Sequence, residues 1–421
     1  MKEGLHKVTK KIFLLAFVVL AVSIGLKTTT FAAASKVTNL KQVGAHETSV
    51  SVSWDAVLGA SSYTVYISEG NTFPENATIT KSAYTSSTSV YGLNPNRTYY
   101  IKVLVNGSST FSDTLACVTT PENVSEMIHS SSTTSSVSVS WSAPISGADY
   151  YKIYYRPSSS SIAEIYVGST TSRTYTIKNL IDDTSYNVYV YPAKKSASGY
   201  EAVGYGHYKY YLNTVAKASK LSSVKLYRWD ASTSAATVSF MNNSKNQSGV
   251  QIEICSLSGK RIKTLTASSH ASSISFALSS IKNKGFKYRL RTYVTANSKN
   301  CYGPYTSQKI AIARPKVTAT KKSNTSLKLS WKKISGAKSY TIYVAKEKND
   351  KFKKVATVKT TSYTLKKTKY YHYYYIYVKA NGVKSGKKTY SSTEAVYAPI
   401  TQVYYYKYSG ASNYYTTYSK Q

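Results

Sequence analysis

From residue 36 onward the chain alternates apolar and polar residues in short runs, and the most regular run returns four times. It reads Thr-Ser-Val-Ser-Val-Ser-Trp ending at Trp54, Ser-Ser-Val-Ser-Val-Ser-Trp ending at Trp141, and Thr-Ser-Leu-Lys-Leu-Ser-Trp ending at Trp331. A degenerate version, Ser-Ala-Ala-Thr-Val-Ser-Phe, ends at Phe240, so the spacings are 87, 99 and 91 residues. A period of two places Val50, Val52 and Trp54 on one face of a pleated strand and the serines on the other, which predicts a half-buried strand. Five or six residues after each Trp a Gly-Ala turn leads into a second alternation: Gly59 to Tyr66, Gly147 to Tyr154 and Gly336 to Tyr343. A third element opens on Leu93 followed six residues later by Tyr99, then Ile101 and Val103, and again on Leu180 followed by Tyr186, Val188 and Val190. In the fourth copy Leu365 precedes the dense run Tyr370 to Tyr377, where no one tyrosine stands out. Helical spacing of apolar residues is hard to find after the first 34, and the reading is all-β.

Trp closing the second strand, Tyr opening the third, and Leu-x(5)-Tyr before the sixth resemble the fibronectin type III family. The resemblance implies immunoglobulin-like β-sandwiches of seven strands in tandem, with Tyr99 and Tyr186 as tyrosine corners that return a hydroxyl to nearby backbone. Trp54, Trp141, Phe240, Trp331, Tyr99 and Tyr186 are then structural. The expected division is 35–121, 122–217, a divergent 218–313 and a basic 314–399, followed by a Tyr-rich tail, 400–421. The tail either adds a strand to the fourth repeat or forms an exposed contact segment. Joints at Thr120-Pro121, residues 215–219 and Arg314-Pro315 are short and not rich in Gly or Ser, which predicts stiff connections.

Residues 1–34 read as an export signal. Lys2, Lys7, Lys10 and Lys11 precede an apolar run, Ile12 to Leu26, that is short for a membrane span, and Ala32 to Ala34 offer a processing site. Cleavage after Ala34 leaves a secreted, extracellular chain of about 387 residues, enough for three or four domains. No membrane anchor is expected after cleavage, although the chain could be held non-covalently at a cell surface. Three cysteines make no disulfide framework. In the family's topology Cys255 falls late in the third strand and Cys301 at the start of the seventh, which favours free thiols.

Catalysis finds no foothold. The only adjacent acidic pair after the signal, Asp182-Asp183, lies in a turn before Tyr186, the six histidines show no metal-ligand spacing, and no nucleophile elbow or phosphate loop is present. A non-enzymatic protein without cofactor or metal is expected. Charge is more informative: residues 35–121 hold 5 basic and 5 acidic residues, 122–217 hold 8 and 7, 218–313 hold 14 and 2, and 314–399 hold 21 and 3. Such a field attracts polyanions; outside a cell these are anionic wall or matrix polysaccharides, with nucleic acid less apt. The basic patch singled out is Lys384, Lys387 and Lys388, in the predicted loop between the sixth and seventh strands, where this family commonly carries recognition residues. Its equivalents are Asn106 to Thr110, Ala193 to Tyr208 and Ala296 to Thr306. The leading expectation is a binding or adhesion protein whose basic repeats hold an anionic envelope or matrix polymer. The alternatives are a soluble effector that binds a host or partner protein, and a spacer module of a polysaccharide-degrading system.

Overall fold

The computed structural model describes residues 36–230, 232–347, 350–405 and 414–420; the expected export signal lies outside them. The first repeat contains β1 (Lys41–His46), β2 (Ser49–Ser53), β3 (Tyr63–Ser68), β4 (Ile79–Ala83), β5 (Ser87–Tyr91), β6 (Thr98–Val105) and β7 (Leu115–Val118). These form two antiparallel sheets, ordered β1-β2-β5 and β4-β3-β6-β7. Val50, Val52 and Trp54 from one sheet meet Tyr63, Val65, Ile101 and Val103 from the other, as the alternation requires.

The second repeat follows the same order with β8 (Ser125–Ser132), β9 (Val137–Ser142), β10 (Tyr150–Pro157), β11 (Ile165–Thr170), β12 (Thr174–Ile177) and β13 (Ser185–Lys195), its last strand broken into β14 (Glu201–Val203) and β15 (His207–Asn213). The third comprises β16 (Leu221–Asp230), β17 (Ala235–Asn242), β18 (Gly249–Ser256), β19 (Arg261–Ser268), β20 (Ser273–Ala277), β21 (Gly285–Ala296), and a last strand split into β22 (Lys299–Tyr302) and β23 (Lys309–Ile312). In the fourth, β24 (Val317–Ser323), β25 (Ser326–Trp331) and β28 (Ser362–Lys366) make the small sheet. The large one contains β26 (Ser339–Ala345), β27 (Lys353–Val358), β29 (Tyr373–Asn381) and β32 (Tyr397–Tyr404), while β30 (Val383–Ser385) and β31 (Lys388–Tyr390) form a separate hairpin. A further strand, β33 (Tyr414–Lys420), pairs antiparallel along β32.

β32 therefore crosses residue 399, where the sequence reading ended the fourth repeat, and the Tyr-rich segment contributes both the last strand of that sandwich and a strand beyond it. Dense tyrosines concealed the alternation, yet Ile400, Val403 and Tyr405 are buried.

The landmark side chains pin the two sheets together at both ends. Trp54 meets Tyr63 edge-on at 5.2 Å, Trp141 meets Tyr151 at 5.2 Å, and Trp331 meets Tyr340 at 5.5 Å. At the opposite corner the hydroxyl of Tyr99 accepts the Asn94 amide at 2.8 Å and that of Tyr186 accepts the Ile181 amide at 2.9 Å. In the fourth repeat the corner is Tyr374, whose hydroxyl accepts the Lys369 amide at 2.8 Å. The spacing of six survives there, but its first member is the buried Thr368 rather than Leu365. In the third repeat Phe286 fills the ring position without a hydroxyl, a 3-10 turn at Ser279–Ile281 makes the crossing, and Trp229 on β16 packs on Phe286 at 4.9 Å. Phe240 is buried at the end of β17, so this repeat carries its tryptophan on the first strand instead of the second.

Repeats one and two each enclose a core of their own, whereas repeats three and four share one continuous core from Leu221 to Tyr405. Their joint is stitched: the Thr393 amide donates to Ile312 O at 3.0 Å, the Ile312 amide to Thr393 Oγ1 at 2.8 Å, and Ser392 Oγ to Ala313 O at 2.7 Å. β16 touches β32 in parallel at Arg228 and Tyr397.

Two outcomes are expected. Tyr374→Phe orphans the Lys369 amide and destabilises the fourth repeat by about 1–3 kcal/mol, whereas Tyr371→Phe, at an exposed ring, changes little in the same denaturant titration. Leu329→Ala, at a fully buried position of the shared core, removes about 2–5 kcal/mol; hydrogen exchange then accelerates in β17 and β21 as well as in repeat four, and not in repeats one and two.

Candidate functional site

The loops between the sixth and seventh strands, expected to carry recognition, hold the repeats to one another. In repeat two Ser198 Oγ donates to Ala116 O of repeat one at 3.1 Å. In repeat three the thiol of Cys301 accepts the Ser132 amide of repeat two at 3.3 Å, and Gly303 lies so close to Ala216 O that a Cβ would sit 2.7 Å from it. In repeat four Ser385 Oγ donates to Leu257 O of repeat three at 2.9 Å. The β30–β31 hairpin that carries Lys384, Lys387 and Lys388 is thus anchored through Ser385 and the buried Val383, with the three lysines exposed.

The basic residues of repeats three and four meet few acids. Of five carboxylates, Glu253 pairs with Arg289 at 2.5 Å and Glu394 pairs with Lys379. For Glu253 the hydrogen bond from Arg289 is the main reason that its pKa lies below the ordinary carboxylate value. For Glu394 the Lys379 hydrogen bond and charge do the same. Asp230 accepts the Ser232 amide and hydroxyl at 2.8 and 2.6 Å in its turn. The other two, Glu347 and Asp350, occupy the loop between β26 and β27.

Two clefts that share Lys366 and Lys367 open at the far end of repeat four, the second of them beside that loop. One, of about 610 Å³, is lined by Lys322, Lys366, Lys367 and the hydroxyl residues Ser323, Thr325, Ser326 and Thr364, with no carboxylate. The other, of about 250 Å³, shares Lys366 and Lys367 and adds Lys346, Lys351 and Lys353 beside Asp350. A third cleft, of about 370 Å³, sits where repeats three and four join and brings Lys282, Lys316 and Lys332 beside Trp331. Sequence reasoning missed all three, because their lysines are scattered between residues 282 and 367 and only the strand register gathers them.

The outer face of each large sheet carries an aromatic or ionic pair at one register position: Tyr66 opposite Lys102, Tyr154 opposite Tyr189, Glu253 opposite Arg289, and Tyr343 opposite Tyr377. Lys102 lies 3.9 Å from the Phe111 ring and Arg291 3.8 Å from Tyr302. In repeat two the row runs through all four strands, with Tyr166, Tyr154, Tyr189 and Tyr208 side by side.

The sequence pattern of the fibronectin type III domain matches residues 35–118 and 120–203. The first two repeats are fibronectin type III domains. The third and fourth keep the same strand order, except that the β20-β17-β16 sheet of the third and the β32-β29-β26-β27 sheet of the fourth join through β16 and β32 into one eight-stranded sheet that includes β33. The chain is similar to the FN1-FN3 domains of chicken CNTN1, at 16% identity over 66% of this chain and 99% of that one, with a TM-score of 0.29. It is also similar to a two-domain fibronectin type III segment of chicken tenascin, at 19% identity over 42% of this chain and 99% of that one, with a TM-score of 0.23. No curated protein matches it.

Between the second and third repeats the acidic pair makes a clamp. Asp183, buried and at a positive φ of 54°, accepts the amides of Lys245 at 2.9 Å and Asn246 at 2.9 Å and the side-chain amide of Gln247 at 3.1 Å. Asp182 pairs with Lys217 at 3.0 Å; burial pushes its pKa up, but the hydrogen bonds and charge of Lys217 outweigh that and hold it below the ordinary value. The turn expected for these two residues is present, and it reaches across the joint. The three thiols are free: Cys255 lies opposite Lys287 and Cys301 opposite Val294, seven residues apart along β21.

Asp183→Ala, which strands the Lys245 and Asn246 amides and leaves the Gln247 side chain only its bond to Thr214 O, is expected to broaden the distance distribution of the chain in small-angle scattering while each domain stays folded. The Asp182 contribution is complete above the ordinary carboxylate range and fades as pH falls through its lowered value, so acid should broaden the wild-type distribution in the same sense. An unchanged profile in both cases would remove the clamp from the account.

Proposed function

We propose that the chain is a non-catalytic, secreted binding protein whose third and fourth domains hold it on an anionic envelope or matrix polysaccharide, with the neutral first and second domains displayed beyond. One observation carries this reading: 35 basic and 5 acidic residues between 218 and 399 sit on a single shared core, and two of those acids are already paired with Arg289 and Lys379. A cationic surface on one body creates a field that recruits polyanions, and salt screens it. Among the described residues no helix is long and apolar enough to cross a membrane, and attachment by charge suits a chain released by export.

A second reading has its own support. In repeat two Tyr208, Tyr210 and Tyr211 are 49, 45 and 71% exposed, and tyrosine supplies large contact area at little entropic cost. That row suits a partner protein, as an effector would require, and it is compatible with retention through the basic pair.

The shared core decides how the test is cut: residues 314–421 alone would expose apolar surface that repeat three covers, so the pieces are 35–217 and 218–421. On immobilised anionic wall polymer at low ionic strength, 218–421 and the full chain are retained and elute with salt, while 35–217 flows through. Equal behaviour of the two pieces would overturn the reading. Stronger retention of 35–217 by a protein partner, lost in Tyr208→Ser/Tyr210→Ser, would favour the second.

A further inference from the structure

We propose that the outer face of the β24-β25-β28 sheet is a track for a linear polyanion, running along the strands from the joint with repeat three to the far end of repeat four. The inference rests on the reading of repeats three and four as a polyanion-binding unit and names the surface and the shape of ligand. The strand register sets out three rows on this face: Thr318, Ser330 and Ser362; then Thr320, Lys328 and Thr364; then Ser326 and Lys366. Lys322, at the end of β24, reaches across to donate to Thr364 Oγ1 at 3.3 Å. Every side chain in these rows is a lysine or bears a hydroxyl, and none is acidic; Ser326 is buried and paired with Ser323 at 2.6 Å, so in the last row Lys366 is the exposed group. The first row abuts the joint cleft through Thr318 and Ser330, beside Lys316 and Lys332. The last row opens into the acid-free cleft of Lys322, Lys366 and Lys367. Lysines thus stand at both ends and in the middle of a strip whose length follows from the seven residues of β24, about 23 Å at roughly 3.3 Å per residue.

The sister repeats show what the same face looks like without this use. At the register position of Lys328 they carry Ser51, Ser138 and Thr237, and each closes a hydroxyl pair with the neighbouring strand: Ser51 with Ser89 at 2.7 Å, Ser138 with Thr176 at 2.9 Å and Thr237 with Ser275 at 2.8 Å. In repeat four the partner hydroxyl, Thr364, is kept and the other is replaced by an exposed lysine. A cation in the centre of a hydroxyl-lined strip, with further cations at each end, fits an extended chain that carries anionic groups at intervals and polar groups between them. Ammonium groups meet the anions and hydroxyls meet the intervening oxygens. A compact anion would engage one cleft only.

The experiment uses the full chain and inorganic polyphosphate in a series of lengths, with a sulfated glycan series of matched lengths as the second arm. Affinity should rise with length until the polymer spans both clefts and then level off. Lys328→Ser, which installs the residue of the first two repeats, combined with Lys366→Ser, should lower affinity for long polymers by about five-fold per lysine and the log–log salt slope by about one per lysine. Short polymers should bind the variant almost as they bind the wild type at the joint cleft. Substituting Lys384, Lys387 and Lys388 by Ser should lower short and long polymers alike and leave the length dependence in place. If affinity does not depend on length, or if the hairpin variant abolishes the length dependence and the face variant does not, the track is wrong while polyanion binding stands. If no polymer binds the full chain at low salt, the functional reading itself fails. Preference between the two series separates phosphate from sulfate chemistry on the same face.

Discussion

Everything in this chain depends on holding two sheets face to face without a disulfide, and the aromatic contacts at the two ends of each sandwich supply that constraint. The tryptophan ending one sheet meets the tyrosine that begins the other at 5.2 to 5.5 Å in repeats one, two and four. The corner tyrosine fixes the opposite crossing by accepting a backbone amide. An edge-on aromatic pair contributes beyond its buried area, and a satisfied corner avoids an orphaned donor. Where repeat three loses the corner hydroxyl, Phe286 is surrounded instead by Trp229, Phe276 and Tyr288. That packing substitutes apolar contact for a directed bond. The third repeat also leans on the fourth, with which it shares its core.

The repeats were legible in sequence because alternation and the aromatic landmarks are written locally: a strand period of two needs only seven residues to show itself, as in the phrase ending at Trp54. Tyr374 was not legible because its six-residue partner is Thr368, and a threonine among lysines and tyrosines gives no signal. The end of the fourth repeat was misplaced for a related reason, since tyrosine serves equally on buried and exposed faces and so blurs the alternation of β32. The joints could be placed, but the bonds across them were invisible. Ser198, Ser385 and Ser392 donate to carbonyl oxygens of the preceding domain, and a carbonyl exists at every residue, so such a bond leaves no trace in composition. Asp183 is intermediate: its place in a turn could be read, its grip on three donors of the next domain could not.

The candidate site divides in the same way. Excess charge was countable, and the three lysine-lined clefts lie in the half of the chain that carries it. Their location was not, because Lys322, Lys328 and Lys366 belong to three strands that are neighbours only once the register is known. A contiguous run such as Lys387-Lys388 attracts attention in sequence, yet the hairpin that bears it is engaged in holding repeats three and four together.

Charge and core therefore need to be considered together. Like charges on one body repel and work against the compact state, so the pair of domains with the largest imbalance has the greatest need of additional burial. It is also the pair whose cores merge, through Ile312, Ala313 and Val317 at the joint and Tyr405 beyond the last expected residue. Burial of Arg314 there pushes its pKa down, against the favourable influence of Tyr377 and Glu394, and its guanidinium lies 4.4 Å from the Tyr377 ring. A cation is thus used inside the joint as well as around it. On the proposal made above, a polyanion bound along the outer face would relieve the repulsion that the shared core now withstands and would thereby raise the folding stability of this half of the chain. In the neutral half, where basic and acidic residues balance, no such linkage arises. The two halves of the chain differ physically in how each meets its own charge: the neutral half by balance, the basic half by merging two cores.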